Sequence, residues 1–155
     1  MKTLARARDK AEILRRVRLV RPDSARRWGR MSAHQMVCHL TDTFRVVVGQ
    51  KPAVCTGSAF DRTVLKWVAL YVPVPWPPGI RTTPEVDQLQ GGTPPAEFAA
   101  DVADLEGMVE LITAVPRAFA WQVHPRLGPM SHPAWMRWAY LHMDHHLRQF
   151  GCGIG

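Results

Sequence analysis

The chain has 155 residues, of which 46% are hydrophobic and 21% are charged, and it contains six Trp. This composition is typical of a globular domain with its own core, and it excludes a disordered, collagen-like or disulfide-stapled chain. The formal net charge is +7, but residues 1–30 contain 11 of the 20 Lys and Arg residues and only three acidic ones. We therefore expect a single domain over residues 1–155, with its positive charge concentrated at one end.

The first predicted element is a basic helix. Residues 3–20 have helical periodicity, and Pro22 closes the segment. A basic helix can follow nucleic-acid phosphates, so a nucleic-acid contact through residues 1–30 is one hypothesis. No aromatic stacking motif, zinc finger or helix-turn-helix motif supports it. We favour the simpler interpretation of a packed helix with a solvated basic face over a nucleic-acid partner.

The next two helices are predicted from a capping motif and from an apolar pattern. Ser32 and Gln35 form a capping box, which predicts a second helix from Ser32 to about Val48. Residues 58–71 predict a shorter amphipathic helix. Its apolar members are Phe60, Val64, Trp67, Val68 and Tyr71.

A long connection rich in Pro and Gly follows at residues 72–92, and two further helices come after it. Thr93, Pro94 and Pro95 predict the start of a third long helix over residues 95–114. Ser131 with Pro133 opens the last helix, which ends near Phe150. Four long helices and one short one predict an all-α four-helix bundle.

Localisation is predicted from two further features. The three Cys residues have no CxxC spacing, as expected of free thiols in a reducing compartment. The N-terminal residues lack the apolar region of a signal peptide, and no apolar segment is long enough to cross a membrane. These features predict a cytoplasmic protein without a membrane partner.

The histidines carry the chemical signal. His142 and His146 are four residues apart, so their directions on a helix differ by only about 40°. His39 lies on the inward stripe predicted for the second helix. Three neutral imidazoles facing one another are the donor set of a divalent metal site with open positions for water or substrate. His39, His142 and His146 are therefore the candidate ligands, with Zn²⁺ or Ni²⁺ as the expected metal.

Other interpretations of these histidines stay open at this point. A single inward His is usually hydrogen-bonded to a carbonyl, and two His at this spacing occur by chance in a chain with seven. His34 lies about 140° from His39 round the helix and is left out of the site. His145 is a candidate for a substitute ligand, a donor to a ligand or a general base, and we favour a role outside the ligand set; Asp42 is a candidate acceptor for an imidazole.

A substrate pocket is expected beside these residues. Trp76, Trp135 and Trp138 are candidate apolar walls, although packing in the core would explain Trp135 and Trp138 equally well. Gln149 lies one turn beyond His146 and is a candidate for orienting a ligand. The expected partner is a small-molecule substrate.

Two motifs resemble the DinB-like superfamily of damage-inducible four-helix-bundle proteins, which are proposed metalloenzymes. They are WGRMSAHQMVCHLTDTFR and HMDHHLRQFG, and the second matches the pattern His-x-x-His-His-x-x-Gln. The middle stretch PWPPGIRTTPEVDQLQGGTPPAEF is similar to a less characterised branch. The likeness covers residues from about Trp28 to Gly151.

The resemblance implies an antiparallel up-down bundle, often a homodimer, with a divalent ion held by His39, His142 and His146. Better known relatives, such as the bacillithiol and mycothiol S-transferases and the mycothiol-dependent maleylpyruvate isomerase, use this centre to activate a low-molecular-weight thiol. The long connection at residues 72–92 is unlike the short loop of a minimal bundle and could cover the metal.

The sequence therefore leads to a metal-dependent enzyme that activates a thiol or water, of the S-transferase, isomerase or hydrolase type. A bundle that binds a metal or small ligand without catalysis is the main alternative. Nucleic-acid association through the basic N-terminal helix is the weaker one.

Overall fold

The computed structural model describes residues 1–80 and 82–153, and every regular element in those ranges is helical. The prediction of an all-α bundle is confirmed. The helices are α1 (Ala7–Val17), α2 (Ala33–Val47), α3 (Lys66–Tyr71), α4 (Phe98–Ala114) and α5 (His132–Gln149). A π-helical turn at Asp61–Leu65 precedes α3, and a 3-10 turn at Pro84–Val86 lies within the long connection.

Two of the predicted helix starts are confirmed by their hydrogen bonds. The Ser32 side chain accepts from the Gln35 backbone N–H, and the Gln35 side chain accepts from the Ser32 N–H, which completes the capping box of α2. The Ser131 side chain accepts from the Ala134 N–H at the start of α5. These local interactions fix where both histidine-bearing helices begin.

The predicted starts of α1 and α4 are wrong. Helix α4 begins at Phe98, because the Glu97 side chain caps the backbone N–H groups of Ala99 and Ala100. Thr93, which was expected to open this helix, instead donates its backbone N–H and its hydroxyl to Asp42. Helix α1 covers Ala7–Val17, not residues 3–20, because the chain on each side forms turns.

The core lies between the long helices, and α5 is its largest contributor. Trp135, Met136, Trp138, Met143 and Leu147 of α5 are all buried. They pack with apolar side chains of the other three long helices, namely Ile13, Val17, Met36, Val37, Leu40, Phe44, Leu105, Val109 and Ile112. One face of α2 and one face of α5 are thereby held in the interior.

Ion pairs join the basic first helix to its neighbours. Along α1, Lys10 pairs with Glu110 and Arg18 with Glu106 of α4, so these two helices run in opposite directions. The buried Arg16 pairs with Asp144 of α5. Part of the positive charge of the N-terminal region is thereby neutralised by ion pairs within the chain.

The apolar pattern of residues 58–71 does not mark a packed face. Its five apolar members are all exposed, with Phe60 at 61% and Trp67 at 60%, whereas Leu70 is buried. These five side chains share a face that points to solvent, and Leu70 lies on another side of the segment, so the periodicity alone does not determine which face packs. None of the helices described has the length and hydropathy that crossing a bilayer requires.

Candidate metal centre

Three imidazoles from two helices meet in the interior. The Nε2 atom of His142 lies 3.4 Å from Nε2 of His39 and 3.1 Å from Nε2 of His146. The ligand atoms of the three residues all lie within 4.8 Å of one another. Helix α2 contributes His39, and one face of α5 contributes the other two. The structure thus brings together the three residues that the sequence selects.

Hydrogen bonds at the outer nitrogens fix the orientation of two of these rings. Nδ1 of His39 lies 2.7 Å from the Val86 carbonyl oxygen, which can only accept, so the proton of His39 is on Nδ1. Nδ1 of His146 lies 2.9 Å from Oε1 of Gln149. The amide of Gln149 donates from Nε2 to the Trp28 carbonyl, which makes Oε1 the acceptor for His146. Both rings therefore direct an unprotonated Nε2 toward His142.

This arrangement leaves more acceptors than donors at the centre. His142 has one Nε2, which can donate to only one of the two facing nitrogens, and its Nδ1 is buried with no partner among the residues described. Three ligands at about 2.0–2.1 Å in tetrahedral geometry have donor atoms about 3.3 Å apart, close to the two separations measured from His142. The residues present therefore fit a divalent ion, and this group can hold one.

Burial keeps these rings in the form that binds a metal. Removal from water lowers the pKa of His39, and it lowers the pKa of His142 and His146 well below the ordinary value. Neighbouring imidazoles add to the effect at His142 and His146. The rings are consequently neutral at pH 7, and a metal ion would not have to displace a proton from them.

His145 lies beside the trio without joining it. Its ring centroid is 5.1 Å from that of His146 and 5.7 Å from that of Trp28. Within residues 1–80 and 82–153 its Nδ1 is buried and has no hydrogen-bond partner, and burial, followed by the charge of Arg148, lowers the pKa of His145. A neutral ring at the edge of the site is compatible with the predicted role outside the ligand set, which stays a prediction.

Asp42 is not positioned as predicted. Its buried carboxylate binds the Lys51 ammonium at 2.7 Å and both the backbone N–H and the hydroxyl of Thr93, at 2.6 and 2.7 Å. Burial opposes ionisation, but these bonds outweigh it and hold the pKa of Asp42 below its ordinary value. The carboxylate therefore ties α2 to the end of the long connection, and none of its hydrogen bonds goes to an imidazole.

A cavity of about 490 Å³ opens beside the three histidines, and the long connection forms one of its walls. Val74, Pro75, Trp76, Pro77 and Val86 from residues 72–92 line it, opposite His142 and Trp138 of α5. The Trp76 indole donates to the Ala69 carbonyl, which fixes the connection onto α3. The connection thus forms part of the cavity wall beside the site, and through the Val86 carbonyl it also orients His39.

The candidate pocket residues divide into two groups. Trp76 and Trp138 line the cavity, with ring centroids 6.2 and 4.8 Å from that of His142. Trp135 does not line it, because it is buried against Trp121 and Trp138 in the core. Gln149 is also outside the cavity lining, because its side chain is bonded to His146 and Trp28.

Sequence reasoning missed His124, which lines the same cavity. Its Nδ1 accepts the backbone N–H groups of Arg126 and Leu127, so its proton is on Nε2. Burial, reinforced by the charge of Arg126, lowers the pKa of His124 to about 4. The ring is a neutral N–H donor at pH 7. Because it lies in an irregular segment, no periodicity could have connected it with the other histidines.

Comparison with known proteins gives a family for the chain. Residues 3–151 match the model of the family described as "Protein of unknown function (DUF1569)". Neither curated proteins nor solved structures gave a match. Because the matched region covers nearly the whole chain, the protein belongs to the DUF1569 family.

Proposed function

We propose that this protein is a metal-dependent enzyme in which His39, His142 and His146 hold Zn²⁺ or Ni²⁺ and a thiol or water attacks a small, largely apolar substrate. The observation that carries the proposal is the convergence of three imidazole Nε2 atoms, two of them unprotonated, at the edge of a cavity. Imidazole donors suit Zn²⁺ and Ni²⁺, whereas Mg²⁺ and Ca²⁺ require oxygen ligands.

The ion, when bound, lowers the pKa of a thiol or water ligand and so generates a nucleophile at neutral pH. The remaining roles belong to the chain. The Val86 carbonyl and Gln149 hold His39 and His146 in the orientation that binding needs. Trp76 and Trp138 offer an apolar wall for the substrate, and His124 offers a neutral N–H donor.

The resemblance to thiol-using DinB-like proteins supports a thiol over water as the nucleophile. The reaction type stays open between an S-transferase, an isomerase and a hydrolase, and the cavity bears only on the class of substrate. The mostly apolar lining favours an electrophile without a strong charge, such as an alkylating agent or an unsaturated carbonyl compound.

A non-catalytic metal or small-ligand binder is the second candidate, and one observation favours it. The residues described as lining the cavity include no carboxylate, so proton transfer would depend on histidine or solvent. This candidate predicts metal binding with no turnover of any substrate in a broad panel.

The deciding experiment is a turnover assay on metal-loaded full-length protein. Zn²⁺- or Ni²⁺-loaded protein is mixed with low-molecular-weight thiols and apolar electrophiles, and with hydrolysable esters and amides, and product is followed by mass spectrometry. We expect thiol-dependent turnover that disappears in His146→Ala and persists in His132→Ala, a control on the same helix. Metal-loaded protein that turns over no member of the panel would establish the non-catalytic candidate instead.

A further inference from the structure

A second set of metal-ligating side chains lies between α2 and α4. His34 and Cys38 are four residues apart on α2, and Asp101 is in the first turn of α4. Nε2 of His34 lies 2.6 Å from Oδ2 of Asp101, and Sγ of Cys38 lies 3.6 Å from the same oxygen. The three potential ligand atoms are all within 4.8 Å of one another.

Hydrogen bonding alone does not use this cluster well. Oδ2 of Asp101 faces three donors, because the Ala96 backbone N–H also donates to it, at 2.9 Å. One carboxylate oxygen has two lone pairs, and a thiol is a weak donor. Cys38 is 4% exposed, so its sulfur has little contact with water to replace that bond.

We propose that His34, Cys38 and Asp101 form a second metal site that takes Zn²⁺ or another borderline-soft divalent cation. One nitrogen, one sulfur and one carboxylate oxygen are ligands that Zn²⁺ accepts together and that Mg²⁺ and Ca²⁺ do not. Zn–S and Zn–O bonds of about 2.3 and 2.0 Å place the two ligand atoms about 3.5 Å apart in tetrahedral geometry, close to the distance between Cys38 and Asp101. The contact between His34 and Asp101 would lengthen by roughly 0.7 Å on the same basis.

The surroundings leave room for a fourth ligand from solvent. The side chains of His34 and Asp101 are each 19% exposed, whereas Cys38 is on the buried side. The Phe98 ring packs edge-on against His34, with centroids 5.2 Å apart, and limits the movement of that ring. An ion here would cross-link α2 to α4.

This site is independent of the proposed function, because it shares no ligand with the three-histidine centre. Adjacent residues on a helix diverge by about 100°, so Cys38 and His39 serve different faces of α2. The two sites also differ in spectroscopy, since only this one contains a thiolate.

The test is a Co²⁺ titration of full-length protein stripped of metal, carrying Cys55→Ser and Cys152→Ser so that Cys38 is the one remaining thiol. We expect a strong near-ultraviolet absorption from thiolate-to-cobalt charge transfer that is complete by two Co²⁺ per chain in this protein, because the three-histidine centre also binds Co²⁺, and by one Co²⁺ per chain once His142→Ala is added. The band disappears in Cys38→Ser and persists in His142→Ala, which lacks the other centre. In Asp101→Asn, which loses an anionic ligand, it should require at least the roughly 10-fold more Co²⁺ that loss of an outer partner costs.

Three results would overturn the second site: no charge-transfer band in the parent, a band that survives Cys38→Ser, or a titration unchanged by Asp101→Asn. The Asp101→Asn variant changes a partly exposed residue and leaves the thiol in place, so it tests the site even where Cys38→Ser does not fold. A protein that shows the charge-transfer band but turns over no substrate would contradict the proposed function and leave the second metal site standing.

Discussion

The candidate metal centre has a helical half and an irregular half, and the two contribute differently. Helices α2 and α5 contribute the imidazoles that face one another. The irregular segments contribute the Val86 and Trp28 carbonyls that orient these imidazoles directly or through Gln149, and the Trp76 wall of the cavity. The helices therefore determine which donors meet, whereas the connections determine how they are oriented and what can reach them.

The first test asks how strongly the irregular half is held on the helices. Asp42→Ala removes the buried carboxylate that binds Lys51 and Thr93, and we expect the free energy of unfolding to fall by about 3 kcal/mol. Chemical denaturation measures the change. Asp104→Ala is the control, because Asp104 is exposed and makes only a 3.5 Å ion pair with Arg45, so equal losses in the two variants would refute the role of Asp42.

A second test changes the orientation of a ligand and leaves all three imidazoles in place. Gln149→Met removes the acceptor for His146 Nδ1 at similar side-chain volume, and we expect Zn²⁺ affinity to fall 10- to 100-fold, a range of roughly the size seen for such outer partners. Competition with a chromophoric chelator measures the affinity. Arg148→Gln, on the outer side of the same helix, should bind as tightly as wild type. Unchanged affinity in Gln149→Met would mean that the hydrogen bond does not orient the ligand.

The third test addresses His124 in the irregular half. The pKa of His124 is about 4 in the folded protein and about 6.5 in the unfolded chain. Below pH 6.5 the unfolded state therefore binds more protons than the folded state, and the free energy of unfolding decreases as the pH is lowered. Lowering the pH from 6.5 to 5 should reduce the free energy of unfolding by about 1.6 kcal/mol through this group. His124→Asn keeps an acceptor for the Arg126 and Leu127 N–H groups without titrating.

The measurement for His124 is the free energy of unfolding at pH 6.5 and pH 5 in the presence of a chelator. The pH-dependent loss should be smaller by that amount in His124→Asn than in wild type, and unchanged in His132→Asn. Identical pH dependence in His124→Asn and wild type would show that His124 is not held neutral.

The helical half was predictable from the sequence because its signals are local. The spacing of His142 and His146 puts them on one face, and the Ser32 capping box fixes the start of the helix that carries His39. The all-α class followed from the same periodicity. Only the fold could show the actual separations between the nitrogens.

The irregular half could not be predicted because its interactions join residues distant in sequence. The bond from His39 to the Val86 carbonyl spans 47 residues, and the contacts of Asp42 with Thr93 span 51. His124 lies in a segment without periodicity. Trp67 is exposed because its face of the segment does not pack on the bundle, and an apolar periodicity does not determine which neighbour a face meets.

The most direct test of the central claim is the Zn²⁺ content of the Cys38→Ser protein, in which the second site is disabled. Mass spectrometry under native conditions, with elemental analysis of dialysed protein, should find one Zn²⁺ per chain of the Cys38→Ser protein. The double variant with His146→Ala should contain none, and the double variant with His132→Ala should contain one. Full Zn²⁺ content in the His146→Ala protein, or none in its Cys38→Ser parent, would contradict the three-histidine centre.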